Sequence, residues 1–180
     1  DLYKRQMKKY TQTIINVCFA IFITVYIIKD DKLNEKVELL NEELESANIG
    51  LIKTLYTDYN TAFINNDFPR IASHFEAPVN FATNGMIAET EKDVIETYKV
   101  MKATIQEGYA YSVTGDVTIK RQSDNSYLLC ADFTRFNKQQ EVLFKGRAEY
   151  QWINVPDKGW KMNYLKGIDR NSNSVCILDH

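Results

Sequence analysis

The chain has 180 residues, a formal net charge of -2, 26% charged and 12% aromatic residues, which excludes a strongly basic nucleic-acid binder and a disordered acidic chain alike. His74 and His180 are the only histidines, and the cysteines at 18, 130 and 176 match no zinc or redox spacing, so neither a metal nor a cofactor is expected.

Residues 1–10 form a basic leader, and residues 11–28 hold the only long apolar run. As a helix those 18 residues extend about 27 Å, close to the thickness of a hydrocarbon core. Inside its apolar part, Thr13 to Ile28, the run is apolar around its circumference, with Asn16 and Thr24 its clearly polar side chains. A buried helix of a soluble domain would show one polar edge at the 3.6-residue period. Lys29, Asp30, Asp31 and Lys32 follow, without the small residues a signal peptidase needs, and Cys18 lies inside the run rather than at a lipid-attachment site. The expectation is therefore an uncleaved single-pass transmembrane helix in contact with membrane lipid. Lys4, Arg5, Lys8 and Lys9 outnumber Lys29, Lys32 and Lys36, which places the N-terminus in the cytoplasm and the folded domain on the opposite side.

Residues 29–49 are charged and free of proline, and a helical stalk is expected there. Leu33, Val37, Leu40 and Leu44 recur at alternating spacings of four and three, continued by Ala47 and Leu51, the a/d pattern of a coiled coil. This seam would pair with a second copy or another membrane protein; the alternative is an amphipathic helix folded back on its own domain.

From Gly50 onward about 130 residues remain, enough for one domain with a real core. Leu51, Leu55, Tyr59 and Phe63, joined by Ile52, Tyr56 and Ala62, predict its first helix. A second short helix is read over residues 69–75, with Pro69 in its first turn. A third covers residues 91–107, capped by Thr90 with Asp93 and closed by Gly108. Four strand-like runs follow, at residues 109–121, 127–137, 141–155 and 159–169, with short polar turns that imply an antiparallel meander. Val142, Phe144, Gly146, Ala148, Tyr150 and Trp152 share one face of the third run, and Trp160, Met162, Tyr164 and Ile168 one face of the fourth. Free thiols are expected at Cys130 and Cys176, the only disulfide pair the chain offers outside the apolar run.

Three helices before a long antiparallel sheet make an α+β order, the helices covering one sheet face. Residues 50–169 resemble the nuclear transport factor 2-like superfamily, which includes ketosteroid isomerases and SnoaL-type cyclases. The resemblance is carried by Tyr59-Asn60-Thr61-Ala62-Phe63, by Asn66-Asp67, by residues 71–75 with Pro78-Val79, and by Gly159-Trp160-Lys161-Met162. It implies three helices packed on a curved antiparallel sheet, a cone-shaped barrel with a pocket inside, and residues 170–180 as a tail.

Isomerases of that resemblance use an Asp base with a Tyr and a second acid as oxyanion donors in an apolar cavity. The inner faces of the third and fourth runs carry no carboxylate. Tyr59, His74 and Asp132 are the candidates for a catalytic group; the plain alternative is a core aromatic, a histidine at a helix end and an acid at a strand rim. An acid-poor pocket behind an anchor points to a noncatalytic, membrane-tethered interaction domain, an accessory or scaffold subunit of a membrane complex. The second expectation is a site for a small apolar ligand, or a SnoaL- or isomerase-like enzyme, with Tyr59, Phe63, Phe144, Tyr150, Trp152, Trp160 and Tyr164 as the pocket wall.

Overall fold

A computed structural model describes the backbone of residues 2–169 and Cys176, with side chains at residues 29–168, at Cys176 and at Val17, Phe19 and Phe22. The expected anchor at residues 11–28 falls on side chains that lie for the most part outside the described residues, as does the tail apart from Cys176. Among the described residues no helix is long and apolar enough to cross a membrane.

Two compact units divide the chain, Asp1–Ala47 and Asn48–His180. One helix, α1, runs Leu2–Asn65, so Gly50 does not interrupt it; nothing lies within 4 Å of where a Cβ would stand there. In the first unit the seam residues Leu33, Val37, Leu40 and Leu44 are all exposed, at 48–59% of their full surface. In the second unit α1 buries Ile52, Tyr56, Tyr59, Ala62 and Phe63, which recur at three, four and seven residues and so form one stripe. Leu51, expected on that stripe, is half-exposed at 49%, because it stands one position off it.

Asn66 at φ 57° ends α1, and Asp67 caps α2 (Phe68–Ser73) by accepting from the Arg70 amide at 3.2 Å. Helix α3 (Glu91–Ala103) begins in a complete capping box between Thr90 and Asp93. It ends a turn earlier than the periodicity suggests, where the Thr104 hydroxyl bonds back to the Val100 and Met101 carbonyls.

The sheet has six strands: β1 (Phe75–Phe81), β2 (Met86–Ala88), β3 (Tyr109–Ser123), β4 (Ser126–Asn137), β5 (Val142–Val155) and β6 (Gly159–Asp169), in the order β2-β1-β6-β5-β4-β3. Strands β3 to β6 form the antiparallel meander. The sheet is nevertheless mixed, not purely antiparallel, since β1 lies parallel to β6. The physical reason is a crossover: the chain leaves the β1–β2 edge, passes through α3, and re-enters the sheet at the far edge as β3.

Alternation along β4 and β5 separates two faces. The inner face carries Tyr127, Leu129, Ala131 and Phe133 opposite Trp152, Tyr150, Ala148 and Gly146, all but Phe133 and Gly146 in the main hydrophobic core. The outer face carries Cys130 and Ile168, which form a small second cluster with Cys176. Cys130 and Cys176 are joined in a disulfide with Cα atoms 6.3 Å apart, which corrects the expectation of free thiols. The partner cysteine lies 46 residues further on, and no local pattern could signal that meeting.

Candidate functional site

An open cavity of about 800 Å³ lies within the Asn48–His180 unit, between α1, α3 and the inner face of the sheet. Its floor is aromatic. Tyr56 and Tyr59 come from successive turns of α1, and Tyr150 from β5 packs edge-on against both rings, at 5.2 and 5.7 Å between centroids. The Tyr59 hydroxyl is 2.9 Å from that of Tyr98 on α3, both buried, and the Tyr150 hydroxyl interacts with those of Tyr56 and Tyr59. Burial is the main cause that pushes the hydroxyls of Tyr59, Tyr98 and Tyr150 well above the ordinary phenol range, so all three are neutral donors at physiological pH.

The wall between floor and mouth is made by Phe63 of α1, Phe81, Ala88, Met101, Phe133 and Phe144. Phe133 and Phe144 lie 5.9 Å apart across Gly146. A Cβ at Gly146 would stand 2.5 Å from both rings, so glycine at this place is what lets the two aromatics close over the strand.

Arg135 stands beside them, two residues beyond Phe133 on the same face of β4 and opposite Phe144 in the ladder. Its guanidinium carbon is 5.0 and 5.3 Å from the centroids of the two rings. Nη1 donates to Gln106 Oε1 at 2.8 Å, while Nε is buried without a hydrogen-bond partner. Burial pulls its pKa below the ordinary guanidinium value, and the groups that act against this are phenols rather than carboxylates. The other charged side chains lining the cavity are engaged. Asp93 belongs to the α3 cap, Glu96 pairs with Lys99 at 2.8 Å, and Arg147 pairs with Asp132 at 2.7 Å.

The expected site residues divide. Tyr59, Phe63, Phe144 and Tyr150 line the cavity, whereas Trp152, Trp160 and Tyr164 do not. Trp152 and Trp160 are buried in the core, where Trp160 meets Tyr127 edge-on at 5.2 Å and donates from Nε1 to Asn48 Oδ1 at 3.3 Å. Tyr164 lies opposite Gln151 on the outer face of β5 and interacts there with Glu149; the pairing register shifts between Gln151 and Trp152, and this breaks the alternation that put Tyr164 on Trp160's face.

Tyr59, His74 and Asp132 do not assemble into one catalytic group. His74 is buried behind Tyr59, with ring centroids 6.2 Å apart, and its Nε2 is 2.9 Å from Asp58 Oδ2. That carboxylate also holds Arg70. Burial lowers the His74 pKa, with Asp58 opposing the shift. Asp132 shares the outer face with Cys130 and points to Arg147 rather than into the cavity. Arg135 is a site residue absent from the sequence expectations, though it has a sequence signal: at period two from Tyr127, four apolar residues are followed by an arginine.

Comparison with known proteins bears on the fold. No curated protein matches this chain. A domain of unknown function with a cystatin-like fold from Nostoc punctiforme superposes with a TM-score of 0.59 at 14% identity, over 71% of this chain and 80% of that one. An NTF2-like protein with a cystatin-like fold from Novosphingobium aromaticivorans gives 0.59 at 13% identity, over 75% and 90%. A nuclear transport factor 2-like superfamily protein from Salmonella enterica gives 0.55 at 14%, over 74% and 98%. At such identities these likenesses speak for the fold alone. The family model described as NTF2-like protein (DUF6841) matches residues 43–165, and with the cone, its helices and its cavity in place, the chain belongs to that family.

Proposed function

We propose that the Asn48–His180 unit is a small-molecule-binding domain that takes a flat, largely apolar molecule into its cone. The observation that carries this reading is the open cavity of about 800 Å³ with an aromatic wall and a few convergent polar groups, the build of a ligand site. Tyr56, Tyr59 and Tyr150 offer hydroxyls at its floor, and edge-on rings offer faces for a planar guest. The reading is binding without turnover, since His74 and Asp132 are committed to Asp58 and Arg147. A panel of planar bicyclic to tetracyclic aromatics and steroids, screened by ligand-observed NMR, tests it. Binders are expected, and Ala148→Leu, which narrows the cavity, should weaken them about tenfold while leaving the circular dichroism spectrum unchanged. No binder in the panel, or binders indifferent to Ala148→Leu, would contradict it.

A second reading concerns the first unit, and the exposure of Leu33, Val37, Leu40 and Leu44 favours it. This seam serves as a stalk that pairs with another membrane protein or a second copy, on a chain tethered in lipid through residues 11–28. The Cys130–Cys176 disulfide supports the folded domain's standing on the oxidising side of that membrane. Purification in mild detergent should retain a partner chain, and Leu40→Glu should release it. A lone monomer under those conditions counts against the stalk.

A further inference from the structure

We infer that Arg135 makes the cavity selective for organic anions, so that the ligand is an amphipathic molecule with an apolar body and a carboxylate or enolate oxygen held at the guanidinium. The inference rests on the cavity reading above and adds the chemical class of the guest.

Three observations carry it. First, Arg135 stands on the apolar inner face of β4 and lines the cavity. A guanidinium packed beside two aromatic rings keeps its charge while shedding water. Second, its Nε is buried and unpartnered. Buried donors in folded proteins are almost always bonded, so the protein alone does not fill this guanidinium's hydrogen-bonding capacity, and a small turn of the side chain would present Nε to a ligand oxygen. Third, among the described residues no carboxylate pairs with Arg135; its side-chain partner is the neutral Gln106. A cation that pairs with a carboxylate is already compensated, as Arg147 is by Asp132, whereas Arg135 is not. Another cation, Lys102, is close enough for Arg135 to help lower its pKa, so the local field also favours an anion.

The fork geometry sets the recognition. Nη1 is fixed by Gln106, which orients the guanidinium plane. An incoming carboxylate would accept first from the remaining terminal nitrogen and, once the side chain turns to present it, from Nε as well, a charge-assisted, two-point contact. Lysine, a single point charge, reproduces the attraction but not the fork.

Two probes of equal size and shape test this: naphthalene-2-carboxylate and the neutral naphthalene-2-methanol, titrated against the whole chain in detergent. The carboxylate should bind at least about tenfold more tightly. Arg135→Met should abolish that preference by weakening the carboxylate at least about tenfold more than the alcohol, and Arg135→Lys should retain part of it. Equal binding of both probes to the natural chain, or a preference that survives Arg135→Met, overturns the anchor while leaving the cavity reading intact. Should neither probe bind, the cavity reading fails and the anchor with it. A circular dichroism spectrum and melting temperature for each variant separate loss of the anchor from loss of the fold.

Discussion

The phenol oxygens of Tyr59 and Tyr98 lie 2.9 Å apart in the core, and this contact joins that of Lys102 with the Phe63 carbonyl in tying α1 to α3. Both rings are almost fully buried, so neither hydroxyl has water as a substitute. Tyr98→Phe removes the bond and leaves Tyr59 to its interaction with Tyr150. Stability should fall by about 1 kcal/mol in urea denaturation. An unchanged midpoint would mean that the tyrosines are held by packing alone.

Gly146 is the hinge of the aromatic wall. Since a Cβ would stand 2.5 Å from both Phe133 and Phe144, Gly146→Ala must push the rings apart. A cost of about 1–3 kcal/mol is expected, with an altered near-ultraviolet circular dichroism spectrum. Full stability and an unchanged spectrum in the variant would show that the strand yields instead.

The Cys130–Cys176 bridge fastens Cys176 onto the outer face of the sheet. Its loop spans 46 residues in sequence, and closing a loop of that size restricts the unfolded chain by about 4 kcal/mol in the entropic account. Cys176→Ala should lower stability by about 2–4 kcal/mol, and reductant should have no further effect on the variant. Alkylation of both thiols in the native, unreduced protein would contradict the bridge.

Lys102 gives the pH dependence a sign. Its ammonium sits over Phe63 and Tyr109, at 4.3 and 4.5 Å, and donates to the Phe63 carbonyl at 2.9 Å. Burial first, then the charge of Arg135, bring its pKa down to about 8. Between that value and the ordinary 10.5, the unfolded chain binds more protons than the folded one, so stability rises with pH across this window. The natural protein should therefore gain on Lys102→Met as pH rises from 7 to 10. A constant difference between the two would show that Lys102 titrates normally.

The tether is tested by fractionation. The full chain should remain in the membrane pellet after alkaline washing, while a chain beginning at residue 31 should be released. Release of both would remove the anchor.

Patterns that act over a few residues were legible: the stripe on α1, the Thr90–Asp93 cap, and the alternation of β5 each follow from local geometry. The parallel β1–β6 pair was not, because it joins segments separated by all of α3 and three long strands, and the short β1 run carries little pattern of its own. For the site, period two tells which face a side chain takes but not how deep in the cone it sits. Tyr150 and Trp152 share a face, yet Tyr150 lines the cavity while Trp152 is sealed in the core. Arg135 illustrates the opposite limit: an apolar alternation that meets a charge has the pattern of a strand's solvent-facing end, and only the fold places that charge in the cavity wall.

Methyl NMR with a binder from the aromatic panel measures the central claim most directly. The account predicts saturable shifts concentrated on Ala88, Met101, Ala148 and Leu165, which line the cavity, with Leu33, Leu40 and Leu44 unmoved. Shifts confined to those exposed leucines, or scattered without saturation, would contradict it.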